Sequence, residues 1–375
     1  MNQFIPVCEP MLVGNEKKYV LDALETGWIS STGKYVQLFE EKFAEYCETK
    51  YCVGVCNGTM ALHLALVCLG IGKGDEVIIP DFTMIASAFA VCYTGATPVF
   101  VDADKNTWNI DPLKIEEKIT KKTKAIMPVS IFGNPCDMEK IANIAKKHKL
   151  YLIEDAAESH GAEYKGQKIG SLADITAFSF FANKNLTTGE GGAVVTNNES
   201  LYKKAKYYKN LCFDPTAPRN YRHNDIGFNY RMSNLHAAIG LAQVENADFY
   251  REKRIKNGLL YKKFLSEIKG IYFQEIEKNS LPVYWMNGIL LNPLEYGKSR
   301  EELINYLKSK NIDTRLFFVG MHEQKSLIDY GCSNEGNYDI TINLSKNGFY
   351  LPSASSLTEN QIKYICDCII EFRNM

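Results

Sequence analysis

A chain of 375 residues, 46% hydrophobic and 23% charged, is long and apolar enough for two domains with a sizeable core. Its net charge of −1 supplies no general field for nucleic acid. The opening Met1-Asn2-Gln3-Phe4-Ile5-Pro6 lacks the charged-then-apolar pattern of a secretion signal, and no apolar stretch reaches the ~20 residues of a membrane helix; the expected location is the cytoplasm.

The first element with chemical character is Val53-Gly54-Val55-Cys56, a predicted strand that opens through Asn57-Gly58-Thr59-Met60-Ala61-Leu62 into an apolar helix ending near Leu69. Such a turn offers free backbone N–H groups to an anion. Gly58 admits close approach and Thr59 adds a hydroxyl, although strand, Gly-Thr and helix recur wherever a chain turns sharply. Apolar strands at 76–80, 98–101, 125–129, 150–153, 176–180 and 193–196 then alternate with helical stretches. That alternation predicts an α/β fold with a mostly parallel sheet covered by helices. Between them, Lys121-Lys122-Thr123-Lys124 reads as a solvated helix end.

The strand Leu150-Tyr151-Leu152-Ile153 ends in Glu154-Asp155-Ala156-Ala157-Glu158-Ser159-His160-Gly161. Carboxylates therefore stand at the carboxyl end of a strand, where parallel sheets bind ligands. Asp155 fits two roles, holding a proton on a pyridine nitrogen or capping a helix. Further on, the apolar run Ser179-Phe180-Phe181-Ala182-Asn183-Lys184 opens into Asn185-Leu186-Thr187-Thr188-Gly189-Glu190-Gly191-Gly192. An amine attacks an aldehyde only when uncharged, so a lysine in a partly desolvated loop suits Schiff-base chemistry; taken alone, Lys184 reads far more readily as a solvated surface charge, and its neighbourhood changes that. Ser179 supplies one more oxygen at a strand end.

From about 233 to 268 the chain is strongly helical and free of proline, which suits a connector between a large domain, 1–245, and a small one, 246–375. Beyond it lie a strand near 284–291 and two helices entered through Ser299-Arg300-Glu301-Glu302 and Thr358-Glu359-Asn360-Gln361, both with capping-box spacing. Of the eleven cysteines, Cys52, Cys56, Cys68 and Cys92 sit in apolar segments. With no Cys-x-x-Cys pair, and six histidines without ligand spacing, no metal is expected.

Gly27-Trp28-Ile29-Ser30-Ser31-Thr32-Gly33-Lys34, Asn57-Gly58-Thr59, Gly74-Asp75-Glu76-Val77, Glu154-Asp155-Ala156-Ala157, the Lys184 loop and Gly227-Phe228-Asn229-Tyr230-Arg231-Met232 carry a resemblance. Across nearly its whole length the chain resembles the DegT/DnrJ/EryC1/StrS sugar aminotransferases, pyridoxal-phosphate enzymes of the type I, aspartate aminotransferase fold. The resemblance implies a large domain with a seven-stranded, mostly parallel sheet and a smaller C-terminal α+β domain. It implies Lys184 as the internal aldimine and proton carrier, Asp155 as partner of the pyridine nitrogen, and Glu158 near the ring hydroxyl. Gly58, Thr59 and Ser179 would hold the phosphate, and Asn229 would reach it from the neighbouring subunit of a homodimer with shared sites. Trp28, Ser30, His160, Arg315 and His322 are the implied substrate contacts.

Lysine at 184, where relatives that remove a sugar hydroxyl carry histidine, favours transamination. Within the family the chain most resembles members that aminate a 4-keto sugar on GDP. It departs from the family at Met84, where a ring-stacking aromatic is usual, at Ser130 and Phe132, where histidine and tyrosine are common, and at Gly320, where proline is common. The readings are thus transfer from an amino acid, L-glutamate, to a nucleotide-linked 4-keto-6-deoxy sugar for surface polysaccharide; the same transfer to a small phosphorylated ketone such as dihydroxyacetone phosphate; or a cofactor-binding regulator without turnover. The transferase readings carry ping-pong kinetics, and none needs nucleic acid, a membrane or a metal.

Overall fold

The computed structural model of the chain describes residues 4–213 and 221–375. Its central sheet is built from β1 (Tyr51–Val55), β2 (Glu76–Pro80), β3 (Thr97–Val101), β4 (Thr123–Ile126), β5 (Tyr151–Asp155), β8 (Ile175–Ser179) and β9 (Gly192–Thr196), in the order β1-β9-β8-β5-β4-β2-β3. Between β5 and β8 lies a small hairpin, β6 (Glu163–Tyr164) and β7 (Gln167–Lys168). Only β9 opposes the common direction, pairing antiparallel with β8 and with β1. Near-continuous apolar runs such as Val77-Ile78-Ile79 follow from burial on both faces.

Helices α1 (Glu16–Glu25), α2 (Lys34–Tyr46), α5 (Met138–His148) and α7 (Asn234–Glu245) bury Ala23, Phe39, Phe43, Ile141 and Leu241 on one face. On the other face α3 (Gly58–Cys68), α4 (Ala86–Tyr93) and α6 (Glu199–Tyr208) bury Leu62, Ala88 and Leu201. The run Lys121-Lys122-Thr123-Lys124 is not a helix end. It is a turn leading into β4, because Thr123 is buried and bonds Thr120 while the lysines face solvent. β1, an edge strand, is closed by side chains and loop backbone. Glu40 accepts the Gly54 N–H at 2.8 Å, Lys209 donates to the Gly54 carbonyl at 3.0 Å, and Cys56 N–H bonds the Tyr230 carbonyl. These bonds occupy backbone groups that would otherwise pair with another chain.

The connector is two helices, α7 and α8 (Ala247–Leu265), broken at Asn246. The remainder forms β10 (Ile271–Phe273), β11 (Ser280–Leu281), β12 (Asn287–Leu291), β13 (Arg315–Leu316) and β14 (Gly348–Leu351). Four of these make an antiparallel sheet, β10-β12-β14-β13, while β11 joins the β6–β7 hairpin. The sheet packs on α8 and on the helices Arg300–Ser309 and Glu359–Arg373, both opened by formed capping boxes. The first residues depart from the predicted division. Ile5 is buried in this C-terminal core and bridges Ile312. Among the described residues no helix is long and apolar enough to cross a membrane.

Candidate active site

Asp155 is the last residue of β5, at the carboxyl edge of the parallel strands, and turns rather than a helix follow it. The helix-capping alternative therefore falls away. Its Oδ2 accepts from Ser87 Oγ at 2.7 Å and its Oδ1 from the Ala157 N–H at 3.1 Å, while Thr83 lies 3.1 Å from the Ser87 hydroxyl. Burial raises the carboxyl's pKa; the Ser87 and Ala157 bonds and the charge of Lys184 oppose that rise.

On the neighbouring strand, β8 delivers Ser179 against the start of α3. Asn57 caps this helix by accepting the Met60 N–H at 2.9 Å, which leaves the Gly58 and Thr59 N–H groups without a partner in the helix. A Cβ on Gly58 would stand 2.6 Å from Ser179 Cβ. Only glycine allows the helix terminus to come this close to the strand.

After β8 the chain makes a tight loop, with Lys184 N–H bonding the Phe181 carbonyl and Thr188 N–H bonding the Phe180 carbonyl, both at 2.9 Å. Lys184 Nζ lies 3.7 Å from the ring centroid of Trp285. Lys184 keeps partial solvent access, yet its surroundings are dense enough for desolvation to lower its pKa, against the opposing charges of Glu158 and Asp155. Glu158 is buried and accepts the Phe132 N–H at 2.6 Å; burial pushes its carboxyl up to about 7, and Lys184 restrains the rise. Phe132 takes a left-handed φ of 56°, uncommon outside glycine.

The other expected residues are placed less uniformly. Met84 stands 47% exposed on the turn before α4. His160 is corrected by the structure: 1% exposed and caged by Phe43, Phe178 and Phe180, with its pKa driven to about 3 by burial, it is a neutral core residue. His322 is held by Asp81, Nδ1 to Oδ2 at 2.7 Å, and stacks on Tyr338, so its ring links the short helical turn Met321–Glu323 to the end of β2. Arg315, on β13, is exposed and paired with Asp313. Trp28 and Ser30 are exposed on the loop before α2, where their carbonyls accept from Asn234. Asn229 is exposed and accepts two bonds from Arg231.

Two of the family departures lie in the core. Phe132 is 2% exposed among Phe82, Trp108 and Phe317, and Ser130 is buried beside Glu154. Sequence reasoning missed Ser87, Cys8 and Trp285. Ser87 had a readable signal, a hydroxyl in the first turn of the helix that follows a parallel strand's carboxyl end. Trp285 had none, since its contact depends on how the C-terminal body packs. A cleft of about 680 Å³ runs along β1 past Glu40 and Lys206, but Lys184, Asp155 and Gly58 do not line it.

Glu154, also fully buried, has its pKa pushed up to about 7 by desolvation, with Gly170 N–H and Ser130 opposing. A folded-state pKa above the unfolded one means the folded chain holds the proton more tightly. This stabilisation is complete below about pH 4.5 and is lost as pH rises through about 7. Glu154→Gln is therefore expected to be more stable than wild type by ~2 kcal/mol at pH 8 and to differ little at pH 4.5, as measured by urea unfolding.

Free N–H groups at a helix start, a hydroxyl beside them, a buried acid at the next strand end and a desolvated amine form a donor set that fits pyridoxal phosphate. Comparison with known proteins identifies the family. Residues 10–370 match the DegT/DnrJ/EryC1/StrS aminotransferase family. The chain is 46% identical over 370 residues to GDP-perosamine synthase of Escherichia coli O157:H7, covering 99% of each chain. It is 43% identical to that of Caulobacter vibrioides, covering 96% of this chain and 95% of the relative. Its fold superposes on DesV of S. venezuelae with a TM-score of 0.90 at 31% identity, covering 98% of this chain and 99% of that one. It also superposes on Helicobacter pylori PseC, an aminotransferase of pseudoaminic acid biosynthesis, with a TM-score of 0.92 at 26% identity, covering 99% and 100%. The chain belongs to the DegT/DnrJ/EryC1/StrS aminotransferase family and is a pyridoxal-phosphate-dependent transaminase.

Proposed function

We propose that this enzyme moves an amino group from L-glutamate to a nucleotide-linked 4-keto-6-deoxy sugar in the cytoplasm, for surface polysaccharide. The observation that carries the chemistry is the convergence of Lys184, Asp155 and Glu158 beside the start of α3. The sugar is supported by the relatives named GDP-perosamine synthase. The small-ketone reading loses its motive, because Ser130 and Phe132 are core residues and only Met84 faces outward.

When bound, pyridoxal phosphate supplies an electron sink for a carbanion at the substrate carbon. In this reading Gly58 and Thr59 N–H groups, with the Ser179 hydroxyl, hold its phosphate. Asp155, fixed by Ser87 and the Ala157 N–H, keeps the ring nitrogen protonated. Lys184, an amine made less basic by desolvation, carries the cofactor and then moves the proton to and from the substrate carbon. Met84, at the position where relatives carry a ring-stacking aromatic, would offer its sulfur to the ring. A homodimer with shared sites is supported by the exposed apolar side chains of Trp28, Ile29, Met84 and Phe181, and by Asn229 facing outward from its own subunit.

The test supplies enzyme, cofactor and L-glutamate with either a GDP-linked 4-keto-6-deoxy sugar or dihydroxyacetone phosphate, each at ~1 mM or below. Release of 2-oxoglutarate is measured. It is expected with the nucleotide sugar; release with the triose alone overturns the proposal.

A further inference from the structure

The indole of Trp285 touches the Lys184 loop twice. Its face lies 3.7 Å from Nζ, measured to the ring centroid, and its Nε1–H donates to the Asn183 carbonyl at 2.9 Å, one residue before the lysine. The backbone on either side of this ring is fixed as well. Trp285 N–H bonds the Phe132 carbonyl at 2.9 Å, and Phe132 in turn donates its N–H to Glu158. The Trp285 carbonyl accepts from Arg254 Nη1 at 2.9 Å. Arg254 is itself buried, bonding the Ser353 carbonyl, Ser355 Oγ at 2.9 Å and Cys8 Sγ at 3.4 Å. Cys8 completes the circuit by donating to the same Asn183 carbonyl at 3.3 Å.

A tryptophan used only as core filler has no need to offer its face to a cation. An ammonium over an indole face is attracted by the ring's quadrupole, and the attraction grows as water is excluded. We propose that Trp285 is a positioning residue for the reaction: its indole face holds the free Lys184 ammonium, and its N–H fixes the turn that carries it. The role falls within each cycle, whenever the amine is disengaged and must keep one place from which to take or return a proton. This inference rests on Lys184 being the reactive amine.

The charged and titratable groups facing Nζ set the comparison. Asp155 and Glu158 lie on β5 and the loop after it and favour the ammonium, while Cys8, from the N-terminal segment, is engaged as a thiol donor to Asn183. His160, on the same loop as Glu158, is neutral. Trp285 adds a further preference for the ammonium without adding charge. Removing its ring, with these groups unchanged, lowers the pH at which Lys184 loses its proton.

The experiment uses cofactor-free protein, so that it reads the lysine and not turnover. Trinitrobenzenesulfonate labelling of Lys184 is followed from pH 6 to 11 by peptide mass spectrometry in wild type, Trp285→Met and Trp285→Phe. Methionine keeps an apolar side chain and has no ring face; phenylalanine keeps a face and loses the N–H. The expected labelling midpoint falls by about half a unit to one unit in Trp285→Met, and by less in Trp285→Phe. A Trp285→Met protein that is folded by circular dichroism and titrates as wild type overturns the proposal. If that variant does not fold, indole emission decides. The wild-type spectrum minus that of Trp285→Phe is expected to change at the Lys184 midpoint and to lose the change in Lys184→Met; a difference spectrum flat with pH overturns it. Should Lys184→Ala retain turnover, the functional reading fails separately, since neither titration involves substrate.

Discussion

Lys184→Ala is expected to lower turnover by ~10³-fold or more while leaving the fold intact. Proton transfer by a placed side chain is worth ~10²–10⁴ in rate, and here the same amine also carries the cofactor. No other lysine among the described residues shares its surroundings of Asp155, Glu158 and the Trp285 ring. Borohydride reduction of the loaded wild-type enzyme should fix the cofactor to the peptide containing Lys184, and a label on any other lysine defeats the assignment. Mixing this variant with Asn229→Asp subunits extends the test to the dimer. Each is inactive alone, because one lacks the amine and the other sets a carboxylate against a phosphate. Random re-pairing gives hybrids with one intact composite site, and about a quarter of wild-type activity should return. An active monomer in the centrifuge removes the shared-site model.

Asp155→Asn is expected to cost ~10²–10³ in the rate of the first half-reaction with L-glutamate, followed by rapid mixing. The substitution is isosteric. The Ser87 hydroxyl is free to rotate and accept from the new amide, and the amide oxygen still accepts the Ala157 N–H, so thermal unfolding should be unchanged near pH 5. Since burial raises the pKa of Asp155, its stabilising contribution is lost as pH rises, and the variant should gain on wild type toward alkaline pH. A neutral amide holds the ring proton poorly, which is where the rate is lost. Near-normal turnover would remove Asp155 from its role.

The parallel strands were legible because burial on both faces writes an unbroken apolar run. Residues 76–80 agree with β2 throughout. The capping boxes at Ser299 and Thr358 were legible because a cap needs only four neighbouring residues. Lys121 to Lys124 misled, since a charge run reports exposure and not backbone form. His160 misled for a different reason. Its cage comes from Phe43 on α2, from Phe178 on β8 and from Phe180 just past that strand, all distant in sequence, and nothing beside it tells that burial has silenced its base. Trp285 escaped for the same cause in reverse, an apolar residue in an apolar stretch whose one polar duty is met by a distant loop.

Ile5 lies in the core closed by Ile312 and by residues as late as Ile369. At synthesis rates of ~5–20 residues per second, the stretch from residue 5 to residue 312 takes about 15 s to a minute to appear. The central sheet is complete at Thr196 and can close over that interval, but Ile5 has no bridge partner until Ile312 appears. Newborn enzyme thus carries its lysine loop and its strand-end acid before it owns the ring that holds the one and the helix that holds the ring. The seam between Ile5 and Ile312 closes after both, because its second half is made later than the ring and the helix.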